Sequence, residues 1–268
     1  MPELPEVETV VLVLKETILN QTIEDVSVYW PRIIYENPDF KDQVIHQKII
    51  DITRRGKYII MHLENGFILI HLRMEGRFYY STQSNDLHKH SHLVFHLSEG
   101  QLEYNDTRKF GRIRYVKDEK DMALDHLGLE PFDGMLTAQY LKKQSLSKKT
   151  LLKAFLLNQS PIVGIGNIYA DEICFDAKLS PLKPIGSITL KQWNQLIISM
   201  RLILSQAIEN GGSTIRSYTS SLGVSGRFQM TLQVYGRGKE NCLVCQSPLK
   251  KVKISQRTTV YCPHCQRI

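Results

Sequence analysis

Four cysteines near the end of the chain restrict its possible folds more than any other feature. They form two pairs, Cys242-x2-Cys245 and Cys262-x2-Cys265, separated by sixteen residues. Each pair is typical of a knuckle that directs two thiolates to one point, and four thiolates complete a tetrahedral zinc shell. Because sulfur fills all four positions, the spacing predicts one structural zinc ion, without which so small a segment would not fold.

The cysteine segment is also strongly basic. It carries Arg237, Lys239, Lys250, Lys251, Lys253, Arg257 and Arg267 against Glu240 alone. The whole chain has a net charge of +7 and a pI near 9.1, which favours a polyanionic partner such as nucleic acid. A zinc ribbon that only tethers another protein stays open as an alternative. The fifth cysteine, Cys174, is expected to be a buried small hydrophobe.

Nothing in the sequence predicts a membrane span or an export signal. No run of 18 apolar residues occurs, and the first residues are acidic where a signal peptide needs bases and an apolar stretch. With cysteines spaced for metal rather than for disulfides, we expect a cytoplasmic protein.

The pattern of apolar residues along the chain changes twice. Residues 5–19 have the apolar spacing of one helix, and residues 26–116 form short β-rich runs separated by turn residues. Helical spacing follows at 137–145, 149–158, 167–178 and 189–210, then a Ser/Thr/Gly-rich loop at 213–228 and a strand-like TLQVYGR. The predicted fold is α+β. It comprises an antiparallel β-sandwich domain with a leading helix (1–130), a helical domain (131–228) and a zinc hairpin (229–268).

A glycine turn inside the helical region is a candidate phosphate site. Gly164-x-Gly166 stands directly before a helix that begins at Asn167, and the helix KKTLLKAFLL precedes it. Backbone N–H groups at a helix start attract anions, so a helix–two-turn–helix of this kind predicts a DNA-backbone clamp. Lys148, Lys149 and Lys153 lie on or beside the first helix and are candidates for further phosphate contacts. A purely structural tight turn is the usual explanation of such glycines, but the surrounding sequence favours the phosphate interpretation.

The opening residues, MPELPEVE, permit two interpretations. Pro5 and Glu6 suit the first turn of a helix, which needs no further function. Alternatively, removal of Met1 would leave Pro2 with a free secondary amine beside the Glu3 carboxylate. Such an amine is a nucleophile, and because it is secondary its Schiff base is an iminium with a fixed positive charge.

Taken in order, these motifs resemble one family across the whole chain. MPELPEVE, RRGKY (54–58), HLRMEGR (71–77), DTRKFGR (106–112), GIGNIYADE (164–172), the GGSTIRSY loop, LQVYGR and the four-cysteine tail together resemble bacterial formamidopyrimidine-DNA glycosylases. The resemblance implies a base-excision repair enzyme that removes oxidised purines, such as 8-oxoguanine and formamidopyrimidines, and then cleaves the abasic strand by β,δ-elimination.

The resemblance also implies catalytic roles. Pro2 is the implied Schiff-base nucleophile and Glu3 the proton donor, with Glu6 supporting the site or the helix start. Lys57 is the implied proton donor in β-elimination, although most lysines on basic strands are simply solvated. Arg257 matches the residue assigned to δ-elimination and phosphate binding, and its high pKa favours the electrostatic part of that role.

DNA-binding residues follow by the same comparison. Met74, Arg108 and Phe110 match the trio that fills the gap left by a flipped base, and Arg108-x-Phe110 would put both side chains on one face. A core position is the alternative for the Met and the Phe. The resemblance assigns His90, Lys148, Asn167 and Tyr235 to DNA contacts and the 213–228 loop to a cap over the flipped base. The alternating His88, His90 and His92 suggest a shared strand face.

Two rival functions remain. An endonuclease VIII-type enzyme for oxidised pyrimidines shares the N-terminal proline and the zinc tail, whereas a non-catalytic zinc-ribbon DNA binder would not need a Pro-Glu terminus. The expected partner in the preferred reading is double-stranded DNA with oxidised purines or abasic sites. We expect a monomer with one Zn²⁺ and no organic cofactor.

Overall fold

The computed structural model describes residues 1–83, 87–146, 148–213 and 227–267. It divides the chain into two compact units, one formed by 1–124 with 211–227 and the other by 125–210 with 228–268. Residues 214–226, most of the segment for which a cap is predicted, lie outside the described residues. The division into three domains at residues 130 and 228 stays a prediction.

The first unit begins with a helix and continues as an antiparallel β-sandwich. Helix α1 (Leu4–Ile18) is followed by β1 (Ile23–Val28), α2 (Phe40–Val44), β2 (Ile49–Arg55), β3 (Tyr58–Leu63), β4 (Phe67–His71), β5 (Arg77–Ser81), β6 (Ser91–Leu97), β7 (Gln101–Asn105) and β8 (Arg112–Val116). The strands form two sheets of four, in the orders β1-β6-β7-β5 and β2-β3-β4-β8. The predicted sandwich is therefore confirmed.

One hydrophobic core joins both sheets and α1. It contains Val7 and Leu14 from the buried stripe of α1, Ile59 from one sheet and Phe95 from the other, all nearly inaccessible to solvent. Pro5 lies in the first turn of α1, where its missing N–H leaves no intrahelical bond unmade. The apolar spacing of the leading segment thus produces the packing that fixes the N-terminus against the sandwich.

The second unit is helical and ends in a hairpin. Its elements are α3 (Ala138–Ser145), α4 (Leu152–Leu157), α5 (Asn167–Asp176), α6 (Leu190–Glu209), β9 (Lys250–Ile254) and β10 (Arg257–Tyr261). Helix α6 starts with a capping box in which the Thr189 hydroxyl accepts the N–H of Gln192. No helix in the described part of the chain is long and apolar enough to cross a membrane.

Two local predictions are wrong for identifiable reasons. The strand-like TLQVYGR is not a strand, because the Glu172 carboxylate accepts the successive N–H groups of Gln233, Val234 and Tyr235 at 2.8, 3.0 and 2.8 Å, and these central groups are then not available to a ladder. The three alternating histidines do not share a strand face. Strand β6 begins only at Ser91, and His90 has φ of 74°, which turns the chain just before the strand.

Candidate functional site

The N-terminal residues are buried and held by hydrogen bonds. Glu3 is 3% exposed, Pro2 is buried, and Met1 ahead of them is 45% exposed. The Glu6 carboxylate accepts the backbone N–H of Glu3 at 2.9 Å, and through its other oxygen it accepts the N–H and the hydroxyl of Ser213 at 2.7 and 2.9 Å. Glu6 thereby fixes the backbone immediately behind Pro2.

Lys57 occupies the turn between β2 and β3, and this turn is tied to α1. The Arg54 side chain donates to the Glu8 carboxylate at 2.7 Å and to the Gly56 carbonyl at 3.0 Å, so one guanidinium links the helix with the turn. Gly56 has φ of 58°, a conformation that suits glycine. Lys57 itself is only 7% exposed, which is unusual for a lysine and does not fit a solvated surface position.

His71, which the sequence comparison did not single out, lies at the end of β4. Its ring packs edge-on against Tyr58, and its Nδ1 accepts the N–H of Arg73 at 2.9 Å. Burial, reinforced by the positive charges of Arg73 and Lys57, lowers the pKa of His71 to about 3. The imidazole is therefore neutral at physiological pH, and the proton it carries is on Nε2.

Arg108 and Phe110 lie on one loop that is organised by Asp106. The fully buried Asp106 carboxylate accepts the N–H groups of Arg108, Phe110 and Gly111 at 3.0, 2.8 and 2.8 Å. The Arg108 guanidinium lies 4.8 Å from the centroid of the Phe110 ring, and Phe110 is 47% exposed. The prediction that both side chains share one side is confirmed, and an exposed ring is not a core position.

Met74 lies half-buried in the turn between β4 and β5, and Tyr104 connects this turn with the loop of Arg108. The Tyr104 hydroxyl occupies the space that a Cβ would need at Gly76 and also at Gly111. These two glycines therefore let one buried tyrosine pack under both segments. The structure brings the Met74 turn and the Arg108 loop together.

His90 is exposed beside the same loop. Its carbonyl accepts the N–H of Asp106 at 3.1 Å, and the neighbouring Lys89 carbonyl accepts from the Asn105 side chain at 2.7 Å. His88 stacks on Tyr79 and hydrogen-bonds the buried Glu103 carboxylate at 3.2 Å. His90 thus projects from a segment that is fixed on both sides.

In the second unit the glycine turn is organised by Gln159. Its side-chain oxygen accepts the N–H of Gly164 at 2.9 Å, while its amide donates to the carbonyls of Leu157 and Ile165 at 2.9 and 3.0 Å. Asn167 opens α5 directly after the turn, and its Oδ1 is a buried acceptor with no hydrogen-bond partner within the described ranges. Lys148 is exposed and follows α3. The N–H groups at the start of a helix favour an anion, whereas Oδ1 is an acceptor and requires a donor.

The four cysteines converge as the spacing predicts. Their sulfur atoms all lie within 4.8 Å of one another, with 3.4 Å between Cys245 and Cys262 and 3.9 Å between Cys242 and Cys265. A tetrahedral zinc ion with bonds of about 2.3 Å needs sulfur atoms about 3.8 Å apart. The cluster fits one structural Zn²⁺ held by four thiolates.

Arg257 is exposed and is the first residue of β10. A buried ion pair holds this strand in place. Lys153 and Asp171 are both fully buried, with Nζ and Oδ1 2.7 Å apart. Lys153 donates to the Thr258 carbonyl at 3.0 Å, and Asp171 accepts the N–H of Val260 at 3.1 Å. In the sequence Lys153 is a candidate phosphate contact, but its burial makes it unavailable to DNA. It helps to hold the hairpin in place instead.

Several supporting residues were missed by the sequence comparison. Asp106 carries a local signal, because an aspartate that begins a turn commonly accepts backbone N–H groups two residues on. Tyr104 and Glu172 carry none, since Gly76 and residues 233–235, which they contact, are distant from them in the chain.

Matches to family models cover most of the chain. Residues 1–113 match the formamidopyrimidine-DNA glycosylase N-terminal domain, residues 127–219 the H2TH domain of the same glycosylases, and residues 239–268 the zinc finger found in FPG and IleRS. These three regions hold, in turn, the proline terminus, the glycine turn and the cysteine cluster. Together they define a DNA glycosylase that carries a zinc finger.

Individual relatives agree over their full length. Formamidopyrimidine-DNA glycosylases of Desulfitobacterium hafniense and Brevibacillus brevis are 40% and 42% identical to this chain, covering 99% and 100% of it and 100% and 99% of the relatives. The Lactococcus lactis Fpg in complex with abasic-site DNA superposes with a TM-score of 0.93 at 34% identity, over 99% of this chain and 100% of that one. A mutant of that protein with Fapy-dG DNA gives 0.93 as well, at 34% identity and full coverage of both chains. The chain belongs to the formamidopyrimidine-DNA glycosylase family.

Proposed function

We propose that this protein removes oxidised purines, 8-oxoguanine and formamidopyrimidines, from double-stranded DNA and cleaves the resulting abasic strand. The observation that carries the proposal is the buried Pro2–Glu3 terminus, which Glu6 holds rigidly at the start of α1. A non-catalytic zinc-ribbon binder gives no reason to bury an acid and fix the backbone at this point. Relatives in solved complexes with abasic-site DNA and Fapy-dG DNA support the same substrates.

The proposed reaction begins at the Pro2 nitrogen, once Met1 has been removed. The amine lone pair attacks C1′ of the damaged nucleotide, and the bond from C1′ to the base breaks as the base leaves with that electron pair. The Pro2 nitrogen gives up its proton, its lone pair then breaks the C1′–O4′ bond and opens the sugar ring, and Glu3 supplies a proton to the sugar oxygen or the departing base. The resulting iminium is cationic because proline is a secondary amine. It acidifies the C2′–H bond, so loss of that proton expels the 3′ phosphate, and a second elimination expels the 5′ phosphate.

Other residues take the roles of supporting groups in this proposal. Lys57 is the proton donor of the first elimination, and its low exposure suits a lysine kept close to the reacting sugar. Arg257 binds phosphate during the second elimination. Met74, Arg108 and Phe110 fill the gap left by the flipped nucleotide, with Arg108 hydrogen-bonding the estranged base. The further DNA contacts are His90, Lys148, Asn167 and Tyr235.

We also propose the molecular context. The enzyme acts as a monomer in the bacterial cytoplasm and needs no organic cofactor, and its functional domains are 1–130, 131–228 and 229–268. Support comes from bacterial relatives that match this chain over nearly its full length.

Borohydride trapping tests the proposal directly. Wild-type protein should form a covalent adduct with abasic duplex, and intact mass should show that Met1 is absent from the active species. Pro2→Gly and an N-terminal extension should abolish trapping and leave duplex binding intact, whereas Pro5→Ala, a matched change three residues away, should still trap. Trapping by the extended protein would overturn the assignment.

A second candidate concerns the damaged base. A Lactococcus lactis Fpg was solved with DNA that contains an oxidized pyrimidine, which supports a broader substrate range of the endonuclease VIII type. Nicking of 8-oxoguanine opposite cytosine should exceed nicking of thymine glycol. The reverse order would favour the pyrimidine enzyme.

A further inference from the structure

A tryptophan lies against the loop that carries Arg108 and Phe110. The Lys109 ammonium, between those two residues in sequence, is 4.1 Å from the centroid of the Trp30 ring, and the Arg32 guanidinium carbon is 5.6 Å from it. Cations within about 6 Å of an indole centroid are attracted to its face. Lys109 has φ of 59°, so the backbone turns here, and its ammonium contacts Trp30 whereas the Arg108 guanidinium contacts Phe110.

Backbone hydrogen bonds fix this arrangement. The N–H groups of Tyr29 and Trp30 both donate to the His92 carbonyl, at 2.9 and 3.1 Å. The His92 ring in turn donates from Nε2 to the Asp106 carbonyl at 2.7 Å. The Trp30 segment and the Asp106 loop are therefore joined through one buried histidine, and the contact of Lys109 with Trp30 belongs to a built surface.

The surface is cationic and partly aromatic. Arg32 and Lys109 are both exposed, and neither forms an ion pair with any residue that the structure describes. The Trp30 ring that both cations contact is half-buried. Uncompensated cations beside an aromatic ring are typical of surfaces that bind a nucleic-acid backbone.

We propose that Trp30, Arg32 and Lys109 form a phosphate-binding surface for the DNA strand opposite the damaged base, next to the gap. The inference rests on the proposed function, in which Arg108 and Phe110 enter the duplex. Arg108 is proposed to reach the estranged base. The phosphates nearest to Lys109, the next residue of the same loop, then belong to the strand that carries this base. Trp30 holds the Lys109 ammonium extended toward that strand.

Salt dependence of binding distinguishes a phosphate contact from a purely structural lysine. The probe is a duplex with a tetrahydrofuran abasic analogue opposite cytosine, which the enzyme binds but cannot process. Lys109→Met should reduce the slope of log K against log salt by about 1 and weaken binding about eightfold at 0.1 M salt. Lys41→Met is the matched control, because Lys41 is an exposed lysine of the same unit that pairs with Asp25. An unchanged slope for Lys109→Met would overturn the proposal.

The choice of strand is tested by neutralising single phosphates as methylphosphonates. Wild-type protein should lose affinity at one or two positions beside the gap on the strand opposite the analogue, and Lys109→Met should be insensitive there. Trp30→Leu should shrink the effect of Lys109→Met in a double-mutant cycle, since the ring positions the ammonium. Sensitivity confined to the damaged strand, or full additivity of the two changes, would refute this assignment.

Failure of this inference and failure of the proposed function give different results. Borohydride trapping reports on Pro2, whereas the analogue duplex reports on binding alone. Normal trapping with an unchanged salt slope rejects only the phosphate surface. Absent trapping with the expected slope rejects only the catalytic proposal. Because Lys109 is exposed, its variant should fold normally, which an unchanged melting temperature checks.

Discussion

The Glu6 carboxylate accepts a 2.7 Å hydrogen bond from the N–H of Ser213, 207 residues later in the chain. The same carboxylate holds the N–H of Glu3 at 2.9 Å. Gly212, with φ of 78°, approaches so closely that a Cβ there would lie 3.0 Å from Glu6 Oε1. One buried acid thus couples the backbone behind Pro2 to the first residue of the predicted cap segment.

Replacing this acid should impair chemistry more than binding. Glu6→Gln keeps one acceptor oxygen but replaces the other with an NH2 group, which then faces a backbone N–H that is also a donor. We therefore expect a loss of about 1–3 kcal/mol in unfolding free energy. Displacement of the Pro2 nitrogen should slow borohydride trapping about 10- to 100-fold. Affinity for the abasic-analogue duplex should change little. Glu16→Gln, on the exposed side of the same helix, is the control, and equal trapping rates for the two variants would contradict the coupling.

Asp106 should be needed to orient Arg108. Asp106→Asn replaces one of the two oxygens that accept three backbone N–H groups, which should cost about 1–3 kcal/mol in unfolding free energy. The loosened loop should also reduce the preference for cytosine opposite the lesion, measured as the ratio of nicking rates for cytosine and adenine partners. Asp42→Asn, an exposed aspartate on α2, should keep both properties. An unaltered ratio in Asp106→Asn would show that the loop does not depend on this carboxylate.

Features that depend on local spacing could be read from the sequence. The cysteine pairs, the apolar stripe of α1 and the short β-rich runs separated by turn residues are each local patterns, and each is confirmed in the structure. The side-by-side placement of Arg108 and Phe110 also follows from their separation by one residue. Short-range geometry fixes such features before any tertiary contact is made.

Features that depend on partners distant in the chain could not be predicted from the sequence. Lys153 looks like a surface base in sequence, and only its contact with Asp171 makes it a buried ion pair. TLQVYGR has strand propensity, but the Glu172 carboxylate takes the N–H groups that a strand would use. The packing of Tyr104 under Gly76 and Gly111 likewise needs the sheets to be assembled first. In each case tertiary contacts override a local preference.

His71 should make stability depend on pH. Its pKa is lowered from 6.5 to about 3 by burial, so below pH 6.5 the unfolded chain binds a proton that the folded chain does not. Its contribution to stability is complete above pH 6.5 and declines by up to about 1.4 kcal/mol per pH unit as the pH falls toward 3, hence by about 2 kcal/mol at pH 5.

Urea unfolding of wild type and His71→Gln at pH 7.5 and pH 5.0 measures this dependence. Glutamine can still accept the Arg73 N–H but does not titrate, so the variant should lose less stability on acidification than wild type. Burial also lowers the pKa of His62, which is why the informative quantity is the difference between the two proteins. Parallel pH profiles would mean that His71 is not responsible.

Zinc removal should unfold the C-terminal module. Cys245→Ser leaves three thiolates, so we expect zinc content to fall well below one ion per chain and DNA affinity to fall with it, because the hairpin carries Arg257. Cys174→Ala is the control, since Cys174 is buried in α5 away from the cluster and should not change the zinc content. Full DNA affinity in protein shown to lack zinc would contradict a structural role for the metal.

Lys153 and Asp171 should stabilise the second unit only when both are present. Lys153→Met leaves the Asp171 carboxylate buried without its cation, which should cost about 3–5 kcal/mol in unfolding free energy. Burial already raises the pKa of Asp171 to about 7 with Lys153 present, and loss of the ammonium raises it further. Protonation then relieves the unpaired charge, so the deficit of the variant should be smaller at pH 5 than at pH 8. Lys153→Met/Asp171→Asn, which removes both charges, should recover most of the loss at pH 8. A double variant as unstable as the single one would instead mean that the methylene chain of Lys153 and its bond to the Thr258 carbonyl, rather than the ion pair, hold the hairpin.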